Sequence, residues 1–165
     1  MENQTFHNFY YSESNAHVID TLKAIATGML APHIILLYGP NSSGKTHLMR
    51  ALQKTSAFET VLYTTADGLT FDLISAIKSG TVCEFSRKIE ETEILLIDDG
   101  QFLAGKELTQ EFLIDRDYDG TVVIAIDREI ESLHKLCAQS NLPFMYMKLE
   151  PPVFLCASRL QGNLQ

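Results

Sequence analysis

Short apolar runs alternate with amphipathic stretches along the 165 residues of this chain. The run H-I-I-L-L-Y over residues 33–38 is followed at once by Gly39-Pro40. A short, continuously apolar segment closed by turn residues is the profile of a strand buried on both faces of a parallel sheet. Runs of the same kind at 60–64, 93–98, 121–126 and 144–149 predict four more strands. Between them, apolar residues at helical spacing predict helices near 46–56, 69–79, 106–115 and 129–138. Ahead of the first strand, Val18, Ile19, Leu22, Ile25, Ala26 and Met29 predict a helix from about Asn15, with Ser14 as its N-cap. Strands separated by helices imply an α/β fold: a three-layer αβα sandwich around a five-stranded parallel sheet. No internal repeat or linker-like tract interrupts the pattern, and the length suits one domain, so residues 1–165 are expected to form a single core.

Composition narrows the function classes. With 45% hydrophobic and 21% charged residues, the chain has the make-up of a folded globular domain. Lysine and arginine number 13 against 21 aspartates and glutamates, a net charge of −8. An acidic surface repels phosphate backbones, so autonomous DNA binding is not expected. Cys83, Cys137 and Cys156 form no C-x-x-C pair and are odd in number, which speaks against a zinc cage or a disulfide framework and for a reducing cytoplasm. The N-terminus lacks the pattern of a signal peptide, and no apolar run approaches the ~20 residues of a membrane span. A soluble cytoplasmic protein is expected.

The strongest chemical signal follows the first predicted strand. Gly39-Pro40-Asn41-Ser42-Ser43-Gly44-Lys45-Thr46 matches G-x-x-x-x-G-K-[ST] without a mismatch. In such a phosphate-binding loop (Walker A), glycines let backbone N–H groups turn inward around phosphates. Lys45 then supplies a cation for the β and γ oxygens, and the Thr46 hydroxyl a ligand for Mg²⁺. The helix that begins near Thr46 aims its positive end at the same anion. Pro40 removes one donor N–H from the edge of the loop. A second signal is the strand E-I-L-L-I ending in Asp98-Asp99, the Walker B pattern. Here Asp98 would orient the Mg²⁺ water shell and Asp99 would activate an attacking water, a task that needs a carboxylate on a strand neighbouring the loop. Asp127, at the end of the strand V-V-I-A-I, has two readings. It either senses the γ-phosphate or holds the lytic water, or else it caps the helix opening at Arg128.

Taken together these residues resemble the AAA+ core of the bacterial DnaA-type replication initiators and of their shorter regulatory relatives of the Hda type. Phe6-His7-Asn8-Phe9 with Glu13-Ser14-Asn15 resembles the family's first box, which implies that Phe9 and Asn15 help hold adenine. Leu37-Tyr38-Gly39-Pro40, Gly44-Lys45-Thr46-His47-Leu48 and the run L-L-I-D-D-G-Q-F-L-A-G-K-E over residues 95–107 follow in order. Ile126-Asp127-Arg128 is similar to the sensor I segment, and Pro151-Pro152 to the end of the core. The likeness spans about residues 5–152. It implies ATP or ADP with Mg²⁺ as cofactors, nucleotide contacts from the loop through His47, and Asp127 as a sensor.

The departures from the family also carry expectations. Where the family places its arginine-finger helix this chain reads L-H-K-L-C-A-Q-S-N-L-P, and no arginine occurs from 129 to 158. A subunit of this kind could accept a finger from a neighbour but not donate one. Too few residues follow Pro152 for the helical lid that covers the base, so no lid is expected. Gly100 stands where the family has an apolar residue, and the N-terminal segment does not resemble the sliding-clamp motif of Hda proteins. The expected function is an adenine-nucleotide-binding regulator of replication initiation. It would work through a DnaA-type initiator or another replication protein, with oligomers possible and weak or no ATP hydrolysis. A small P-loop kinase and a nucleotide-independent partner-binding module are the alternatives. The five histidines show no ligand spacing, and Met145 and Met147 suit sheet packing. Asp115, Asp117 and Asp119 alternate like a calcium loop but lack its closing glutamate, which favours a polar turn.

Overall fold

A computed structural model describes residues 4–114, 118–140 and 142–151. After a 3₁₀ turn at Phe6–Asn8 come α1 (Ala16–Ala26), β1 (Ile34–Tyr38), α2 (Lys45–Thr55), β2 (Val61–Thr65), α3 (Ala66–Ser79) and α4 (Val82–Glu90). β3 (Ile94–Asp98), a second 3₁₀ turn at Gly100–Leu103, α5 (Glu107–Ile114), β4 (Thr121–Ile126), α6 (Glu131–Gln139) and β5 (Phe144–Lys148) complete the order. The strands form one parallel sheet in the order β2-β3-β4-β1-β5. Parallel neighbours need crossovers, and the helices supply them. The architecture is the three-layer α/β sandwich that the pattern predicts.

The apolar runs become strands because both faces of the sheet are covered. Every residue of β3 and β4 is buried, and Ile35, Leu36 and Leu37 of β1 are fully so. On one face, Ile35, Leu37, Leu96, Val123 and Ala125 pack with Val18 and Leu22 of α1 and Leu48 and Leu52 of α2. On the other, Leu36, Leu95, Ile97 and Ile124 pack with Leu69, Leu113 and Leu133 of α3, α5 and α6. Full burial of each such valine, leucine or isoleucine side chain is worth about 1.5–3 kcal/mol. Among the described residues no helix is long and apolar enough to cross a membrane.

Four details differ from the sequence reading. α1 starts behind Asn15, because the Ser14 hydroxyl pairs with Ser12 rather than capping a helix. The same helix stops at Ala26, where Gly28 turns the chain at φ +72, and leaves Met29 83% exposed. α4 was not anticipated. β3, which ends in Asp98, is not the neighbour of β1: β4 is inserted between them, so the end of β4, with Asp127, lies between the loop and Asp98. The alternating Asp115 and Asp117, the Pro152 position and Cys156 lie outside the described residues.

Candidate functional site

The loop between β1 and α2 is shaped by two residues with positive φ, Ser42 at 64° and Gly44 at 94°. Gly44 is required for a further reason. A Cβ there would sit 2.4 Å from Cε2 of Phe9, whose ring lies against the loop. Phe9 also meets the His47 ring edge-on at 5.4 Å, and His47 Nε2 donates to the Thr5 carbonyl at 2.8 Å. The 3₁₀ segment is thereby pinned to the first turn of α2. Ser43 is buried within the loop with its hydroxyl unpartnered, and the Lys45 ammonium donates to the carbonyls of Gly39 (2.6 Å) and Pro40 (2.9 Å).

Four elements deliver a single cleft. A cavity of about 230 Å³ is lined by Asn41, Ser42, Gly44, Lys45 and Thr46 from the loop and start of α2, by Asp98 and Asp99 at the end of β3, and by Gln101 from the 3₁₀ turn that follows. Asp98 is buried, and its Oδ2 accepts from the Thr46 hydroxyl at 2.7 Å. This bond joins the two motifs across the interposed β4. The neighbouring Asp99 is exposed and adopts a left-handed conformation at φ 53°. Burial lowers the Lys45 pKa below its ordinary value, against the opposing pull of Asp127, Asp98 and Asp99 in that order of strength. Asp127 therefore belongs to the electrostatic surroundings of the loop.

Asp127 does not cap α6. α6 begins at Glu131 behind Ile130, three residues too late for Asp127 to cap it. Its carboxylate is 14% exposed and accepts from Arg128 Nε at 3.1 Å. Asn15 takes a different place from the loop residues. It is buried, and its amide donates to the Glu150 carbonyl (3.1 Å) and accepts from the Glu150 N–H (3.0 Å), tying the start of α1 to the segment that follows β5. Asn15 is thus spent on the backbone rather than lining the cleft.

Sequence reasoning missed Tyr63 on β2. Its hydroxyl donates to Asp98 Oδ2 at 2.6 Å, and burial together with that carboxylate pushes its pKa well above the ordinary phenol value. Arg50 of α2 lies 3.4 Å above the same ring. The only advance signal was the period of two in β2, which puts Val61, Tyr63 and Thr65 on one face.

The donor set fits a small hard cation. A hydroxyl and a carboxylate, both oxygen ligands, stand in hydrogen-bond contact beside the 39–46 loop, the arrangement Mg²⁺ accepts when phosphates complete its shell. Among the described residues no group of three His, Cys, Asp or Glu side chains is placed to hold a metal without such help.

The family model described as the bacterial DnaA ATPase domain matches residues 1–144. The replication initiator DnaA of Methylacidiphilum infernorum is 37% identical over 112 residues, covering 65% of this chain and 25% of that protein. Thus the chain spans about a quarter of that relative's length. Domain III of the Thermotoga maritima DnaA superposes with a TM-score of 0.77 at 29% identity, over 92% of this chain and 69% of that one. The AMPPCP-bound DnaA of Aquifex aeolicus gives 0.73 at 26% identity, over 89% and 50%.

Proposed function

Because this chain belongs to the bacterial DnaA ATPase-domain family, we propose that it binds adenine nucleotide with Mg²⁺ in the 39–46 loop and regulates replication initiation through protein contact in the cytoplasm. The observation that carries the reading is the 2.7 Å bond from Thr46 to Asp98, which brings loop and carboxylate into one site. In this reading Lys45 leaves the Gly39 and Pro40 carbonyls for phosphate oxygens. Thr46 and Asp98 hold the cation, which supplies charge neutralisation for the phosphates. Phe9, packed on Gly44 and His47, and Asn15, tied to Glu150, keep the N-terminal segment beside the loop for the base. Asp99, exposed at the mouth of the cleft, orients and deprotonates water, and Asp127 stands between loop and acid pair as the sensor.

The partner in this reading is a DnaA-type initiator. AAA+ cores stack nucleotide face to finger edge, and the edge at 133–143 carries no arginine, so this subunit accepts a finger without donating one and caps an initiator assembly at one end. Family membership lends no such support to the kinase alternative. Calorimetry with Mg-ATP tests the site: Lys45→Ala removes a charge-assisted contact of about 1.5–3 kcal/mol, a roughly tenfold to hundredfold loss in affinity. Identical traces for wild type and variant would refute the assignment. Co-elution with an initiator's AAA+ domain should require ATP and weaken in Lys45→Ala; association indifferent to nucleotide would refute the capping model.

A further inference from the structure

Asp98 is held by three donors. Its Oδ1 accepts from the Asp99 N–H at 2.9 Å, and its Oδ2 accepts from both Thr46 (2.7 Å) and Tyr63 (2.6 Å). An ionised carboxylate offers about four lone-pair sites, so three bonds leave it one orientation. The three donors are not equivalent. Thr46 is the hydroxyl that a cation recruits, which makes its hold on Asp98 conditional on what occupies the site. The phenol comes from β2, the edge strand on the far side of β3, and is not among the residues that line the cleft.

The ring is itself held. The Arg50 guanidinium covers its face at 3.4 Å and donates to Gln53 Oε1 at 3.1 Å, one turn further along α2. A cation over the π face holds an aromatic plane in position while leaving its edge hydroxyl free to bond. Tyr63 therefore reaches Asp98 from a mount that spans α2 and β2. Simple packing of helix on strand would be served as well by phenylalanine.

Resting on the nucleotide-binding reading above, we propose that Tyr63, braced by Arg50, is a positioning residue that fixes the Asp98 carboxylate for the divalent cation accompanying the nucleotide. Its action is on the cation and not on the phosphates, which touch the loop. The test uses the full chain and a fluorescent ATP analogue, titrated with Mg²⁺ at fixed analogue and, separately, with analogue in EDTA. Tyr63→Phe keeps the ring and its stacking on Arg50 but removes the hydroxyl. It should raise the magnesium midpoint about tenfold, the size of one lost charge-assisted hydrogen bond, and change the affinity in EDTA less than twofold. Arg50→Met, which keeps the hydroxyl and loosens its mount, should raise the midpoint by a smaller factor. A magnesium midpoint shared by wild type and Tyr63→Phe overturns the positioning role. So does an equal loss of affinity with and without Mg²⁺, which marks Tyr63 as purely structural. A wild-type chain that binds no analogue under either condition instead overturns the nucleotide reading, and this role with it.

Discussion

Asp99 holds φ 53° and ψ 37°, a left-handed conformation that costs a non-glycine residue on the order of 1–3 kcal/mol and that gathers at functional sites. Gly100 makes it attainable. A Cβ at that position would lie 2.5 Å from Ile124 Cγ2 and 2.8 Å from the Ala125 carbonyl, so the 3₁₀ turn can press onto β4 only without a side chain. Gly100→Ala should lower unfolding stability by about 1–3 kcal/mol through overpacking, read from urea denaturation midpoints; an unchanged midpoint would mean that the turn yields freely. Cys137 offers a second check at this scale. Its thiol is buried on α6 and burial pushes its pKa up to about 11, whereas Cys83 is exposed. Brief alkylation at neutral pH, followed by mass spectrometry, should label Cys83 and spare Cys137, since the thiolate is the reactive form.

Edge strand β2 is anchored at its start by Glu93, just ahead of β3. Glu93 Oε2 accepts from the Thr60 N–H (3.0 Å), the Glu59 N–H (2.9 Å) and the Thr60 hydroxyl (3.1 Å). Bonding from the Thr60 backbone, foremost, holds its pKa below the usual 4.5. A carboxylate whose pKa is depressed on folding stabilises above its unfolded pKa and loses that contribution as pH falls through the folded one. Glu93→Gln should therefore be less stable than wild type at neutral pH, with the gap closing below about pH 4.5; parallel urea midpoints across that range would contradict it. The elements differ in how plainly they could be read. The strands were legible because burial on both faces demands unbroken apolar runs. α4 was hidden because only Ile89 is buried, with Val82 and Phe85 half-covered among Cys83, Glu84, Arg87 and Lys88. The loop and acid pair were legible as contiguous motifs, whereas Tyr63 reaches Asp98 by a diagonal contact across strands, since it registers with Leu96. Asp127 stayed ambiguous until the start of α6 at Glu131 removed the capping reading.

For the whole molecule, the missing arginine decides the expected rate. An arginine finger is typically worth 10³–10⁵ in turnover, and the 129–158 stretch has none to offer a neighbour. Isolated protein should release phosphate from ATP far below about 1 s⁻¹. Turnover at that rate or faster, abolished by Asp99→Asn, would instead make the chain a self-sufficient ATPase. The strand order has a consequence of another kind, in time. β1 leads into the 39–46 loop, yet both of its partners, β4 and β5, are the last strands in the chain. At synthesis rates of ~5–20 residues per second, β1 leaves the ribosome on the order of ten seconds before β4. During that interval an apolar strand has no edge to join. β2 and β3 can pair with each other early, so the half of the sheet carrying Asp98 is assembled first and the half carrying Lys45 closes last. The cleft between the 39–46 loop and Asp98 is therefore among the final features to form, and a nascent chain cut short before Thr121 has both motifs but no strand to bring them together.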